Sequence, residues 1–275
     1  MTMHDKTIAD HYVKIGLADS VMEALKDVLR NSDSLKLEEL SPVDEFHIRG
    51  REATLEMIKH AQFTDDDHVL DVGCGVGGPS RWLAKLCGCR VTGLDITKAF
   101  CEVATTLAKH TGMANRVRYR HGSALDMPFE TDSFDGVWMQ HVNMNIKDKP
   151  GLLQECHRVL KPGGKFAFYE IIADSGEPLE YPVPWAQRPE ISFLVTERTY
   201  KDMLAAQGFT LKSWNDVTAT ATEWFRQIIQ QTRQATQSVL AVRALKDSNA
   251  ALITKNMLTN LEARRIRVVN GIATA

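Results

Sequence analysis

Apolar positions along the chain follow a helical period first and a strand period later. Residues 7–63 read as helices. In "ADSVMEALKDVL" Val21, Met22, Leu25, Val28 and Leu29 share one face, and in "GREATLEMIKHA" Leu55, Ile58 and Ala61 do the same. Between them, "SPVDEFHIRG" is a polar connector with a cluster of Phe46, His47 and Arg49. From residue 68 short β-branched runs alternate with amphipathic ones. "HVLDVG", "RVTGLDI", "RVRYRHGS", "FDGVWMQHV", "KFAFYEII" and "FTLKSWNDV" read as strands. "SRWLAKLC", "AFCEVATTLAKHTG", "PGLLQECHRVL" and "YKDMLAAQG" read as helices.

This alternation predicts βαβ units, right-handed crossovers and a doubly wound parallel sheet. The loops at the strand C-terminal ends then line one crevice. "EPLEYPVPWAQRPEISF", residues 177–193, interrupts the alternation with four prolines. A connection of that length in a compact domain is commonly functional, often a lid. "LKPGG" (Leu160 to Gly164) reads as a structural turn. After residue 216 the chain reads helical almost to its end, where "VVNGIATA" suits a frayed helix or a short strand. The expected organisation is an N-terminal helical cap over 1–63, an α/β core over 64–216 and a helical C-terminal addition over 217–275, packed on the core.

Composition narrows the function classes. A length of 275 residues with 44% apolar residues supplies a large core. A net charge of -2 gives no reason to expect a nucleic-acid partner. Five cysteines, an odd number, argue against a secreted disulfide framework, and "CGC" at Cys87 and Cys89 is too tight for an ordinary zinc pair, so no metal is expected. No run spans a bilayer and the N-terminus has no apolar leader core, so the expectation is a cytoplasmic protein without a membrane partner. The sequence does not fix an oligomeric state; a homodimer is one it allows.

The chemistry concentrates in "VLDVGCGVGGPSRWLA". Gly73, Gly75 and Gly78 satisfy the dinucleotide fingerprint, while Gly73, Gly75 and Gly77 satisfy a shorter pattern suited to a ligand without a pyrophosphate. Asp71 weighs between them. A carboxylate there repels a pyrophosphate but attracts the ammonium and sulfonium of S-adenosylmethionine. Asp95 ends the second strand, where an acid accepts hydrogen bonds from ribose hydroxyls in either case. Ile96 is placed to pack on adenine, and Ser123, Ala124 and Leu125 end the third strand where the adenine edge would lie. Glycine turns after strands also serve packing alone, but acid, glycines, second acid and third-strand loop occur here in order. An NAD(P)-dependent oxidoreductase and a nonenzymatic cofactor-binding module stay as alternatives.

"VLDVGCGVGG", "VTGLDIT", "LDMPFETDSFDGVW" and "ECHRVLKPGG" resemble the successive motifs of class I S-adenosylmethionine-dependent methyltransferases over roughly residues 65–172. The similarity is to small-molecule enzymes of the ubiquinone/menaquinone-biosynthesis type. "FHIRGREAT", "QHVNMNI" and "YPVPWA" look like the narrower sarcosine/dimethylglycine methyltransferase group. The resemblance implies a Rossmann-like sheet of seven strands with the last antiparallel, whereas the pattern alone gives six. It implies S-adenosyl-L-methionine as cofactor, S-adenosyl-L-homocysteine as product and a small-molecule acceptor methylated at N, O or C. Ser123 departs from the acid common at its position.

Methyl transfer needs an aligned nucleophile in a water-excluding site, with a base only if the nucleophile arrives protonated. The fourth strand brings Gln140, His141 and Asn143 to the crevice, with Gln140 at the cofactor and Asn143 at the substrate. His141 is the candidate base by position and intrinsic pKa; the other reading is a neutral pocket wall. His47 is a further substrate contact. Arg49 suits a bidentate carboxylate clamp or a solvated surface position. Tyr181 and Trp185 suit a lid wall that holds a cationic amine, or ordinary loop packing. Glu170 ends the fifth strand toward the same cavity.

Overall fold

The computed structural model describes residues 19, 21–23, 35–174, 176–234 and 249–275. Among these, seven strands form one sheet in the order β3-β2-β1-β4-β5-β7-β6. The strands are β1 (His68–Val72), β2 (Arg90–Asp95), β3 (Val117–His121), β4 (Phe134–Gln140), β5 (Leu160–Ala173), β6 (Thr210–Asp216) and β7 (Ile266–Thr274). The pairs from β3 across to β5 are parallel. β7 runs antiparallel to both β5 and β6.

Helices α1 (Leu37–Asp44) and α2 (Gly50–Ala61) precede the sheet. α3 (Gly78–Cys87), α4 (Lys98–His110), α5 (Lys149–Val159) and α6 (Glu197–Ala206) connect strands. α7 (Thr218–Gln234) and α8 (Ala250–Glu262) come before the last strand. Local signals account for several ends: Asp148 caps α5 by accepting the Gly151 N–H at 3.0 Å, and Thr196 caps α6 from Thr199 at 3.3 Å. No helix of the described residues is long and apolar enough to cross a membrane.

The central strands are apolar on both faces because helices cover both sides of the sheet. Side chains alternate between two cores along each strand. Val69, Trp138, Ala167 and Tyr169 enter one, with Trp82 and Met57; Leu70, Val72, Val137 and Phe168 enter the other, with Leu152 and Leu204. Edge strand β3 is mostly polar outward of Val117. In the N-terminal pattern, Ile58 and Ala61 are buried and Leu55 packs against the same core. Val21 and Met22 join a third cluster with Leu40, Val43 and Leu107. Leu25, Val28 and Leu29 lie outside the described residues.

Two expectations need correction. Residues 217–275 are not wholly a helical addition: Ile266–Thr274 sits inside the core sheet, between β5 and β6. This is the seventh strand that the apolar pattern misses. The "LKPGG" stretch is the start of β5 and not a separate turn, although the pairing shifts register there against β4 and Gly163 has φ 78°.

Candidate active site

The C-terminal ends of β1, β2 and β4 open into a cavity of about 760 Å³. The turn from β1 into α3 forms one end of it. Its glycines serve different ends. A Cβ at Gly73 would overlap Val142, one at Gly77 would overlap the Tyr119 ring, and one at Gly78 would overlap the Asp44 carbonyl. These three permit close packing. Gly75, with φ 53°, has nothing within 4 Å of such a Cβ, so its bare backbone faces open space in the cavity.

Asp95 is held for the same space. Its Oδ2 accepts the Gly75 N–H at 2.9 Å and its Oδ1 the Thr97 N–H at 2.8 Å. Each oxygen retains a lone pair for a further donor. Burial pushes the Asp95 carboxyl above the usual range, against those two bonds. Asp71 is buried behind the turn and accepts the Ser80 hydroxyl at 2.5 Å. Burial raises its carboxyl to about 7. Ile96, Ser123, Ala124 and Leu125 line the cavity beside Asp95, and the Ser123 Oγ is engaged by the Leu125 N–H at 3.2 Å.

β4 ends at the middle of the cavity. Trp138 Nε1 donates to Gln140 Oε1 at 2.9 Å, and the buried Gln140 Nε2 has no partner among the described residues. His141 follows in the left-handed region at φ 54°, a conformation that costs a non-glycine residue about 1–2 kcal/mol. Glu170 stabilises this turn from below. Its carboxyl accepts the backbone N–H groups of Val142 and Asn143 at 3.2 Å. Buried Lys149 holds the other side by donating to the carbonyls of Asn143 at 3.2 Å and Ile146 at 2.7 Å. His141 Nε2 is shielded from solvent and has no hydrogen-bond partner among the described residues. Burial, and then neighbouring His47, hold the imidazole well below its ordinary pKa. That corrects the expectation of a histidine titrating near neutrality.

His47 also lines the cavity, with Nε2 donating to the Gly50 carbonyl at 2.9 Å. Burial lowers it to about 4, so it is neutral. Four other expected substrate contacts are not on the cavity wall. Arg49 donates to Glu56 Oε2 at 2.7 Å, one face of α2 having supplied the partner. Tyr181, within the 177–193 stretch, packs against the hydrophobic core. Asn143, in the turn after His141, and Glu170, in β5, are both buried, and the Asn143 N–H donates to the Glu170 carboxyl. Trp185 from the same stretch does line the cavity.

Residues 70–168 match a family described as a methyltransferase domain. This segment is a methyltransferase domain. It aligns with Methyltransferase GfsG of Streptomyces halstedii at 33% identity over 132 residues, 48% of each chain. It also aligns with Sterol 24-C-methyltransferase ERG6B of Gibberella zeae at 41% identity over 102 residues, 37% of this chain and 27% of that one. The aligned region thus spans half or less of each of these relatives. In fold, the chain is similar to geranyl diphosphate C-methyltransferase of Streptomyces coelicolor A3(2), with a TM-score of 0.71 at 19% identity over 99% of this chain and 98% of that one. A putative sarcosine dimethylglycine methyltransferase from Galdieria sulphuraria gives a TM-score of 0.65 at 19% identity, over 81% and 82%.

Several residues at the methyltransferase domain's cavity escape sequence reasoning. Asp44 lines it with Oδ1 unpaired, while its Oδ2 accepts from Arg81 at 2.6 Å. The acidic pair Asp44–Glu45 beside apolar residues was the available signal. Met144 and Ile146 line it from the turn after His141, and Trp224, Phe225, Ile253 and Met257 from α7 and α8. The "TEWF" aromatic pair marked α7 as more than a solvated helix, but periodicity alone does not say which face meets a cavity.

Proposed function

We propose that the chain is an S-adenosylmethionine-dependent methyltransferase acting on a small molecule, with His141 at the acceptor. One observation carries this reading: a single cavity joins the bare Gly75 backbone and the Asp95 carboxylate to the unpaired His141 Nε2. The side chains suit the nucleoside: Asp95 has lone pairs free for vicinal ribose hydroxyls, and Ile96, Ala124 and Leu125 offer apolar surface for adenine. At the methionine end, the unpaired Gln140 Nε2 suits a carboxylate and the unpaired Asp44 Oδ1 an ammonium. Asp71 lies behind the turn on the same wall. Asp44, Asp71 and Asp95 line the cavity while its described wall has no Lys or Arg, which disfavours the pyrophosphate of a dinucleotide.

When bound, S-adenosylmethionine supplies an electrophilic methyl carbon on a sulfonium. The protein's part is to hold the acceptor in line, exclude water and, for a hydroxyl or ammonium acceptor, take its proton at His141 Nε2. Burial keeps that imidazole neutral. A cytoplasmic location, a homodimer and the lack of a nucleic-acid partner belong to the same reading; fractionation, sedimentation velocity and a DNA-binding assay test them.

Calorimetry with S-adenosylmethionine, S-adenosylhomocysteine, NAD and NADP checks the cofactor. The first two should bind and the nicotinamide pair should not. Incubation with methyl-labelled S-adenosylmethionine and a metabolite pool, read by mass spectrometry, should give labelled products. Tighter binding of NAD or NADP would sink the reading.

A further inference from the structure

We infer that the acceptor is an uncharged, largely apolar molecule, and that the α7–α8 helix pair sets this specificity. The inference rests on the methyltransferase reading for the other end of the cavity. Beyond His141, the described wall carries the neutral amides of Asn145 and Gln187 and is otherwise mainly aromatic and aliphatic, with Met144, Trp185, Trp224, Phe225, Ile253 and Met257. Four of these six come from α7 and α8.

Two polar side chains along this stretch are engaged inside the protein. Trp185 Nε1 donates to Ser192 Oγ at 2.9 Å. The Thr254 hydroxyl donates to the Ala250 carbonyl at 2.8 Å within α8. Both residues therefore present mainly apolar surface. His141 Nε2 is buried with no hydrogen-bond partner among the described residues, and it matches one hydroxyl or one reacting centre.

Charge points the same way. The charged residues on the described wall are Asp44, Asp71 and Asp95, all at the cofactor end. An acceptor carrying a carboxylate or phosphate would lose its hydration and meet no cation on the described wall. Arg49, the cation nearest in the sequence reading, is spent on Glu56 and lies off the wall. A small zwitterion such as an N-methyl amino acid would leave most of the apolar wall unfilled. An apolar body buries that wall and removes its surface from water.

The test is a binding measurement with three probes, titrated against the full chain with and without saturating S-adenosylhomocysteine. The probes are farnesol (neutral, apolar, one hydroxyl), farnesyl diphosphate (the same body with an anionic head) and sarcosine (zwitterionic, small). Farnesol should bind more tightly than either of the others. Trp224→Ala should weaken farnesol by on the order of tenfold to a hundredfold, the scale of losing one aromatic wall, and leave S-adenosylhomocysteine affinity unchanged. Ile253→Arg should shift the preference toward farnesyl diphosphate by placing a cation on the wall, a readout that a merely unfolded variant does not give. Sarcosine or farnesyl diphosphate binding more tightly than farnesol overturns the inference, as does farnesol affinity unmoved by both variants. Absence of S-adenosylhomocysteine binding overturns the methyltransferase reading instead, and the ranking of probes on the free protein still decides the acceptor class.

Discussion

His141 and Tyr169 are joined twice. Their rings stack with centroids 4.9 Å apart and 16° between planes, and the His141 N–H donates to the Tyr169 carbonyl at 2.8 Å. Together with the Glu170 carboxyl under Val142 and Asn143, this fixes the imidazole on the cavity wall and sustains its positive φ. A base must be held in place before its pKa matters.

His141→Asn keeps a polar side chain but cannot take the proton. If the acceptor arrives protonated, kcat should fall roughly 10²–10⁴-fold with S-adenosylhomocysteine affinity unchanged. The active form is the neutral imidazole, and burial lowers its pKa, so the rate should be lost only as pH falls below the ordinary histidine range. A kcat/KM profile with its acid limb at or above the usual 6.5 contradicts this, as does a variant with near-normal kcat.

Asp95→Ala removes a carboxylate bonded to Gly75 and Thr97 on one side and open to the cavity on the other. Cofactor affinity should weaken by about 1.5–3 kcal/mol, the range for hydrogen bonds to a charged group. Calorimetry measures it directly. An unchanged dissociation constant would place the ribose contact elsewhere.

The cofactor end of the site was legible because its parts are local. Asp71, the glycines and Asp95 each lie at a strand end that alternation alone locates, and the sheet register puts Asp71 beside Gly93 and Trp138. The seventh strand was hidden because its reasons are distant. Asn270 looks wrong for a buried strand until Asn215 of β6 is seen donating to it at 2.9 Å, and Gly271 is needed because a Cβ there would crowd the Phe168 ring. Arg49 was misplaced for a similar reason: its partner Glu56 stands seven residues on, across the helix start, and nothing in the connector alone announces it. The acceptor wall was the least legible part. It is assembled from the 177–193 stretch, the turn after β4 and two helices near the C-terminus, whose apolar faces read only as core.

Gly75→Ala separates ligand space from packing. The new Cβ meets no protein atom within 4 Å, so the fold should pay only the left-handed backbone cost of about 1–2 kcal/mol. Thermal denaturation should show a modest fall in Tm, whereas cofactor affinity should fall by more than tenfold, since the methyl enters the space left for the ligand. Gly77→Ala should do the reverse and act mainly on stability, because its Cβ overlaps Tyr119. Equal effects of the two variants on affinity and on Tm would refute this division.

Glu170 makes stability depend on pH. Its carboxyl is buried beneath the His141 turn, and burial raises its pKa from 4.5 to about 8 despite the two backbone N–H bonds and nearby Lys149. The folded state thus prefers the protonated form. Below pH 4.5 the group is protonated in both states and its contribution is fully present. As pH rises from there toward 8, the unfolded chain releases the proton first, so stability is lost progressively; above about 8 both states are ionised and the loss levels off. Glu170→Gln does not titrate and offers one amide oxygen to the same backbone donors. The Tm of the parent relative to this variant should therefore decline between pH 5 and 8 and flatten beyond, with the expected sign set by the raised pKa. Differential scanning calorimetry across that range measures it. A Tm difference that rises with pH, or that stays constant, would mean that Glu170 is ionised in the native state and paired with the Lys149 ammonium, and that the turn under His141 rests on an ion pair and not on a neutral acid.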